Sequence, residues 1–152
     1  MKTQKDVIDL LNSLLEENCD SKRGYQRAAE QVDDPSLKGL FMSLSSQRDN
    51  FKKSIREEIH FLEGEPAHLG MVEGPVQDAF SSPDLLLALN TIEKTLEGCL
   101  RLEAKHLAIY EQKLNGNDFE VSTRNLLIGQ RENIKLAIAD LGKADPEELL
   151  TL

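Results

Sequence analysis

Apolar side chains return along this chain at intervals of three and four, the repeat of helices that each bury one stripe. A first stripe sets Leu11, Asn18, Tyr25 and Val32 a heptad apart, with Leu14, Leu15, Ala28 and Ala29 beside them, and predicts a helix over about residues 5–32. Asn18 is the polar member of that stripe. The stretch DDPSLKG interrupts it: Pro35 disfavours helix at Asp34 but suits a first helical turn, with Asp33 or Asp34 as the N-cap. A second helix, about residues 36–63, carries Leu37, Leu40, Phe41, Leu44, Phe51, Ile55, Ile59 and Leu62 and stops at Gly64 and Pro66 of FLEGEP. It would form a rod of about 40 Å.

Periodicity fades over about residues 65–82, where Pro66, Gly70, Gly74 and Pro75 mark a long connection with room for a short helical turn in VQDAF. A serine cap and Pro83 then open a third helix, about residues 83–114, with Leu89, Ile92, Leu96, Leu100, Leu107, Tyr110 and Leu114 on one face. NGND closes it. A fourth, about residues 120–141, shows Leu126, Leu127, Ile134, Ile138 and Leu141 and ends at Gly142. The tail KADPEELLTL reads as an extra turn or a frayed end. Leu, Glu, Lys, Ala and Gln dominate and Val and Ile are thinly spread, so the fold class is all-α, and 152 residues suit a single domain over residues 1–152.

Two phrases recur. SQRDNF (46–51) and GQRENIK (129–135) align at one constant offset that also pairs Leu44 with Leu127 and Ile55 with Ile138. The first and third helices match at a nearly equal offset, Leu15-Glu16 with Leu96-Glu97 and Glu30-Gln31 with Glu111-Gln112. The chain therefore reads as one helical hairpin repeated. A link of about 18 residues reaches roughly 55 to 60 Å when extended, ample to recross the rod. An up-down-up-down bundle would need only a few. The length favours a crossover, the ferritin-like topology: an antiparallel four-helix bundle of two hairpins.

Charge and hydropathy remove other classes. The chain holds 27 acidic and 18 basic side chains, a net charge of −9, which repels phosphate backbones and anionic membranes. Neither nucleic acid nor membrane is an expected partner. The apolar run in MKTQKDVIDLLNSLL is too short and interrupted for a secretory segment, and none approaches the roughly 20 apolar residues of a membrane span. The expectation is a cytoplasmic protein in which Cys19 and Cys99 stay reduced.

The segments LNSLLEEN, GYQRAAEQVDDPSLKGLF, SQRDNF and FLEGEP resemble a family of small bacterial ferritin-like four-helix-bundle proteins with a domain of unknown function, over about residues 7–141. More distantly, LNSLLEEN with Tyr25 and the FLEGEP helix end are similar to bacterioferritin. That resemblance implies a place for ferritin-like metal chemistry: a Glu on the first and third helices and Glu-x-x-His on the second and fourth, all pointing inward. The corresponding positions here are Asn18, Glu97, Gln47-x-x-Asn50 and Gln130-x-x-Asn133, and only Glu97 keeps the required residue type. Neutral amides cannot offset the charge of two divalent ions as carboxylates do. They can bond to one another, and the expectation is a polar core network of Asn18, Tyr25, Gln47, Asn50, Gln130 and Asn133, reaching Arg48 and Arg131, able to fix helix register. The plainer alternative has Gln47 and Gln130 bordering the core and both arginines in solvent.

Two literal Glu-x-x-His patterns remain, at Glu57 and His60 and at Glu103 and His106. Ile55, Ile59 and Leu62 define the second helix's core face and turn the first pair away. Glu103 lies a heptad after Leu96 and a heptad before Tyr110, which leaves a tyrosine-bonded, a solvated or a metal-ligating role open. His68 in the link has no evident partner. No GxSxG, phosphate loop or HExxH occurs. Cys19 and Cys99, near the middles of antiparallel helices, could approach as a thiol pair or serve only in packing.

The reading that follows is a non-enzymatic structural or interaction module without cofactor, self-associating to a dimer or larger with an unidentified protein partner; the resemblance adds a stress or stationary-phase setting. Its competitor is a ferritin-like metal-binding protein or oxidase holding iron or manganese in a displaced site of Glu16, Glu17, Glu97, Glu103 and His106.

Overall fold

The computed structural model describes residues 3–67 and 92–144. Those residues form four helices, α1 (Gln4–Glu30), α2 (Pro35–Phe61), α3 (Ile92–Leu114) and α4 (Val121–Lys143). The expected link, its VQDAF turn, His68, the first turns of the third helix and the tail after Ala144 lie outside the described residues.

Local chemistry sets the helix ends. Thr3 caps α1 in a reciprocal box with Asp6, each side chain bonding the other's backbone N–H at 3.1 Å. Asp34, not Asp33, caps α2, accepting from the Leu37 N–H at 2.8 Å while Pro35 fills the first turn. At the far end of α2 the left-handed residue is Glu63 (φ 62°), and Gly64 donates back to the Ile59 carbonyl at 2.8 Å. Gly64 is there for another reason: a Cβ at that position would stand 2.7 Å from Ile8 Cδ1 of α1. Gly116 (φ 83°) turns α3 into α4, and Asn117 Nδ2 bonds the Lys113 carbonyl at 2.6 Å.

Cross-helix bonds give the directions. Gln4 Nε2 bonds the Leu62 carbonyl and Ser45 Oγ the Lys22 carbonyl, so α1 and α2 are antiparallel. Tyr110 bonds Gln130, and Ser122 and Thr123 reach Glu58, which makes α3 and α2 each antiparallel to α4. Helices α1 and α4 thus run one way and α2 and α3 the other. The end of α2, at Leu62, packs in one apolar cluster, whereas Ile92 at the start of α3 packs against the other. They lie at opposite ends of the bundle, the arrangement of the ferritin-like crossover topology.

The core has two halves. One gathers Tyr25, Ala28, Val32, Leu37, Phe41, Leu44, Leu96, Cys99 and Leu141; the other gathers Leu11, Leu14, Leu15, Phe51, Ile55, Ile59, Tyr110, Leu127 and Ile134. Fully buried leucines such as Leu11 or Leu127 stabilise the fold by roughly 2–5 kcal/mol each when measured as truncation to Ala. Packing is dense within each hairpin and thin between them. Between the two apolar halves lies a belt of buried polar side chains.

Candidate functional site

The belt is built on inward positions of all four helices: Asn18 from α1, Ser45 and Arg48 from α2, Glu103 and His106 from α3, and Gln130 from α4. Its centre is Arg48, whose side chain is 0% exposed. The stripe Phe41, Arg48, Ile55, Leu62 runs in heptad steps, so helical geometry drives the guanidinium inward wherever the flanking apolar residues go. Burying a charge is costly unless it is paired and fully bonded. Here Nη2 donates to Glu103 Oε2 at 2.5 Å, Nη1 donates to His106 Nδ1 at 2.7 Å and to Ser21 Oγ at 3.1 Å, and Nε donates to Gln47 Oε1 at 3.3 Å. The Tyr25 and Phe51 rings lie 5.7 and 5.4 Å from the guanidinium carbon and add cation–π attraction.

This arrangement dictates the state of His106. A guanidinium only donates, so Nδ1 must accept and the ring proton sits on Nε2. Burial, reinforced by the Arg48 charge, holds the imidazole pKa down at about 3, and the ring is neutral. Nε2–H is buried without a hydrogen-bond partner, its ring edge-on to Tyr110 at 5.2 Å between centroids. The Tyr25 hydroxyl also lacks a partner at bonding geometry; burial, and then the Glu103 carboxylate beside it, push its pKa well up.

A neutral chain sits one turn away. Asn18 Nδ2 donates to the Leu14 carbonyl and to the Tyr110 hydroxyl, both at 2.9 Å. Tyr110 donates to Gln130 Oε1 at 2.6 Å, and Gln130 Nε2 donates to the Phe51 carbonyl at 3.2 Å. One run of bonds therefore crosses α1, α3, α4 and α2 in turn. Burial raises the Tyr110 pKa far above its ordinary value, so the phenol stays neutral.

The structure brings together Asn18 and Gln130 through Tyr110, and Tyr25, Glu103 and His106 around Arg48, with half-buried Gln47 at its edge. It leaves out Asn50 and Asn133, which are exposed because each sits one residue off the stripes of Phe51 and Ile134. Arg131 is a surface residue paired with Glu132 at 2.9 Å. Glu97 is exposed and pairs with Lys94 at 3.5 Å; Glu16 is exposed as well. Glu57 and His60 face outward. Glu17 and Asp20 are half-buried beside a pocket of about 60 Å³ between α1 and α3, with pKa values raised chiefly by burial. Cys99 is buried in the apolar half that also holds Tyr25, Ala28 and Ala29, Cys19 is half-buried on α1, and both thiols are free.

The donors can be tested against a metal pair. The inward amides of Asn18 and Gln130 are neutral, the Glu103 carboxylate is held by a guanidinium, and the His106 Nδ1 lone pair is spent on the same cation. Among the described residues no group of three or more His, Cys, Asp or Glu is placed to hold a metal ion. A dinuclear metal site does not fit this set.

Comparisons agree on the fold. A family described as "Domain of unknown function (DUF2383)" matches residues 6–116. The bacterioferritin-related protein from Bacteroides fragilis, a dodecameric thioferritin, superposes with a TM-score of 0.72 at 18% identity, covering 98% of this chain and 86% of that one. Rhodobacter capsulatus bacterioferritin, whose structure has a metal-free dinuclear site and a heme iron, gives 0.70 at 20% identity, covering 93% of this chain and 84% of that one. At such identity the likeness speaks for the ferritin-like bundle alone. No curated protein matches the sequence.

Proposed function

The chain belongs to the DUF2383 family, which carries no assigned activity, and from its belt we propose a metal-independent ferritin-like bundle that serves as a structural or interaction module. The observation that carries this reading is Arg48: a fully buried guanidinium bonds both Glu103 and His106, so the protein supplies its own cation at mid-bundle. With the carboxylate neutralised and the imidazole locked as a donor outward, the belt acts in holding four helices together. Burial holds the His106 pKa down at about 3, so its imidazole is not poised near neutral pH for proton transfer.

The module would self-associate at least to a dimer. Support comes from large apolar side chains left in solvent, Met42 at 51% and Leu136 at 62% exposure, and from the dodecameric relative. A cytoplasmic setting is supported by two free cysteines. The experiment is metal analysis of protein purified without chelator, with an assay of ferrous iron consumption. Metal-free protein that leaves ferrous iron untouched is the expected result. Stoichiometric iron or manganese would overturn the reading in favour of a displaced site.

A further inference from the structure

At the end of the bundle where α1 and α4 begin and α2 stops, a groove of about 540 Å³ opens between the hairpins. Its apolar floor is Val7, Leu62 and Phe119, and the charged residues that line it are Asp118 and Glu120, both exposed and both acidic. Glu120 is the N-cap of α4, yet its side chain makes no capping bond, so the carboxylate is left to other partners. Phe61, next to Leu62, and Val121, next to Glu120, are 68% and 74% exposed. Each is one residue along the chain from a side chain that lines the groove.

We propose that this end is a docking surface for a protein segment that presents a bulky apolar anchor flanked by Lys or Arg. The inference deepens the interaction-module reading and rests on it. Size and composition argue for a polypeptide: a small molecule filling the groove would leave Phe61 and Val121 in water, whereas a segment that extends beyond it is long enough to reach exposed apolar side chains on both helices. Charge argues for a basic one: the charged residues that line the groove, Asp118 and Glu120, are both acidic, Glu58 bonds Thr123 at its wall, and a net charge of −9 attracts cations, while of the nearby bases Lys5 and Arg124 the second is engaged with the Asn117 carbonyl.

Two other occupants fit less well. The chain's own C-terminal residues, DPEELLTL, start after Ala144 at the opposite end of α4. Asp145, Glu147 and Glu148 would also meet an acidic rim. A second copy applied through the same face would set two such rims against each other.

The test uses the full isotope-labelled chain and a short synthetic helical peptide of Leu and Lys in amphipathic order, with a scrambled peptide of equal composition and a Leu/Glu version as controls. Expected are chemical-shift changes confined to Val7, Leu62, Phe119, Val121 and their neighbours, with no binding of the Leu/Glu peptide. Asp118→Lys with Glu120→Lys should weaken the Leu/Lys peptide about tenfold or more, and Phe61→Ser about five-fold, without loss of fold because these side chains are exposed. Equal binding of the scrambled peptide, shifts elsewhere, or indifference to all three substitutions overturns the proposal. So does a dimer in sedimentation that Phe61→Ser dissolves, which would seat a second copy there. Metal content plays no part in this test: iron in the protein would sink the metal-independent reading alone, and a silent titration would sink only the docking surface.

Discussion

SQRDNF in α2 and GQRENIK in α4 share a pattern, yet the bundle uses different letters of it. In α2 the buried residue is the arginine, Arg48, and Gln47 is half-buried; in α4 it is the glutamine, Gln130, and Arg131 stands at the surface against Glu132. The flanking anchors are equivalent, Leu44 and Phe51 in one helix and Leu127 and Ile134 in the other, all buried. Between anchors seven apart a helix offers two inward places, three or four residues on, and the two copies choose differently. One choice puts a charge in the core and the other an amide. A repeated phrase therefore conserves spacing without conserving chemistry.

The sharpest way to break this comparison is to remove both arginines in turn. Arg48→Met should cost about 3–5 kcal/mol, because it strands the Glu103 carboxylate in the core. Arg131→Met should stay within about 0.5 kcal/mol. Pairing Arg48→Met with Glu103→Leu should recover most of the loss or exceed wild type, since a well-packed apolar pair can replace a buried ion pair. Urea unfolding of the four proteins decides the point; equal effects of the two single arginine variants would erase the distinction.

Acid gives the next largest effect. The folded His106 pKa is about 3 against an ordinary 6.5, so between those values the unfolded chain binds a proton that the folded chain refuses. Stability should fall as pH drops below about 6.5, by roughly 2–3 kcal/mol at pH near 4.5. Glu17 and Asp20, with raised pKa values, work in the opposite sense and offset part of it. His106→Gln should flatten the slope. If wild type and variant lose stability in parallel, His106 is not the source.

Tyr110→Phe comes third. It leaves Asn18 Nδ2 and Gln130 Oε1 without their shared hydroxyl and should cost about 1–3 kcal/mol, read as a lower midpoint at unchanged denaturant slope. Smallest of all, Asn50→Ala and Asn133→Ala should each fall within about 0.5 kcal/mol of wild type, because both amides face water. A loss above about 1.5 kcal/mol at either would return them to the belt.

Much of the bundle was legible because helix ends and stripes are local signals: Asp34 with Pro35, the FLEGEP stop, and heptads that carry Asn18 and Tyr25 inward. Glu103 was legible in the same way, as the heptad neighbour of Leu96 and Tyr110. The belt's centre was harder. Phe41, Arg48, Ile55 and Leu62 stand in heptad steps, but an arginine in a core stripe reads as solvated until its partners are known, and these come from α1 and α3 far along the chain. Gln47-x-x-Asn50 misled in a simpler way: matching letters to a ligand pattern placed the amides one residue out of phase with Phe51.

The direction of the bond run through Asn18, Tyr110 and Gln130 has one more result. Leu127, Ile134 and Leu141 repeat every seven residues, so apolar packing alone would tolerate α4 sliding by a heptad, about 10 Å. After such a slide Thr123 or Ala137 would stand where Gln130 stands, and neither has an amide to accept from the Tyr110 phenol and donate on to the Phe51 carbonyl. In α2 the same slide would bring Phe41 or Ile55 against the Glu103 carboxylate. The polar belt makes those misaligned bundles expensive, and so leaves the chain one alignment out of several that its leucines would accept.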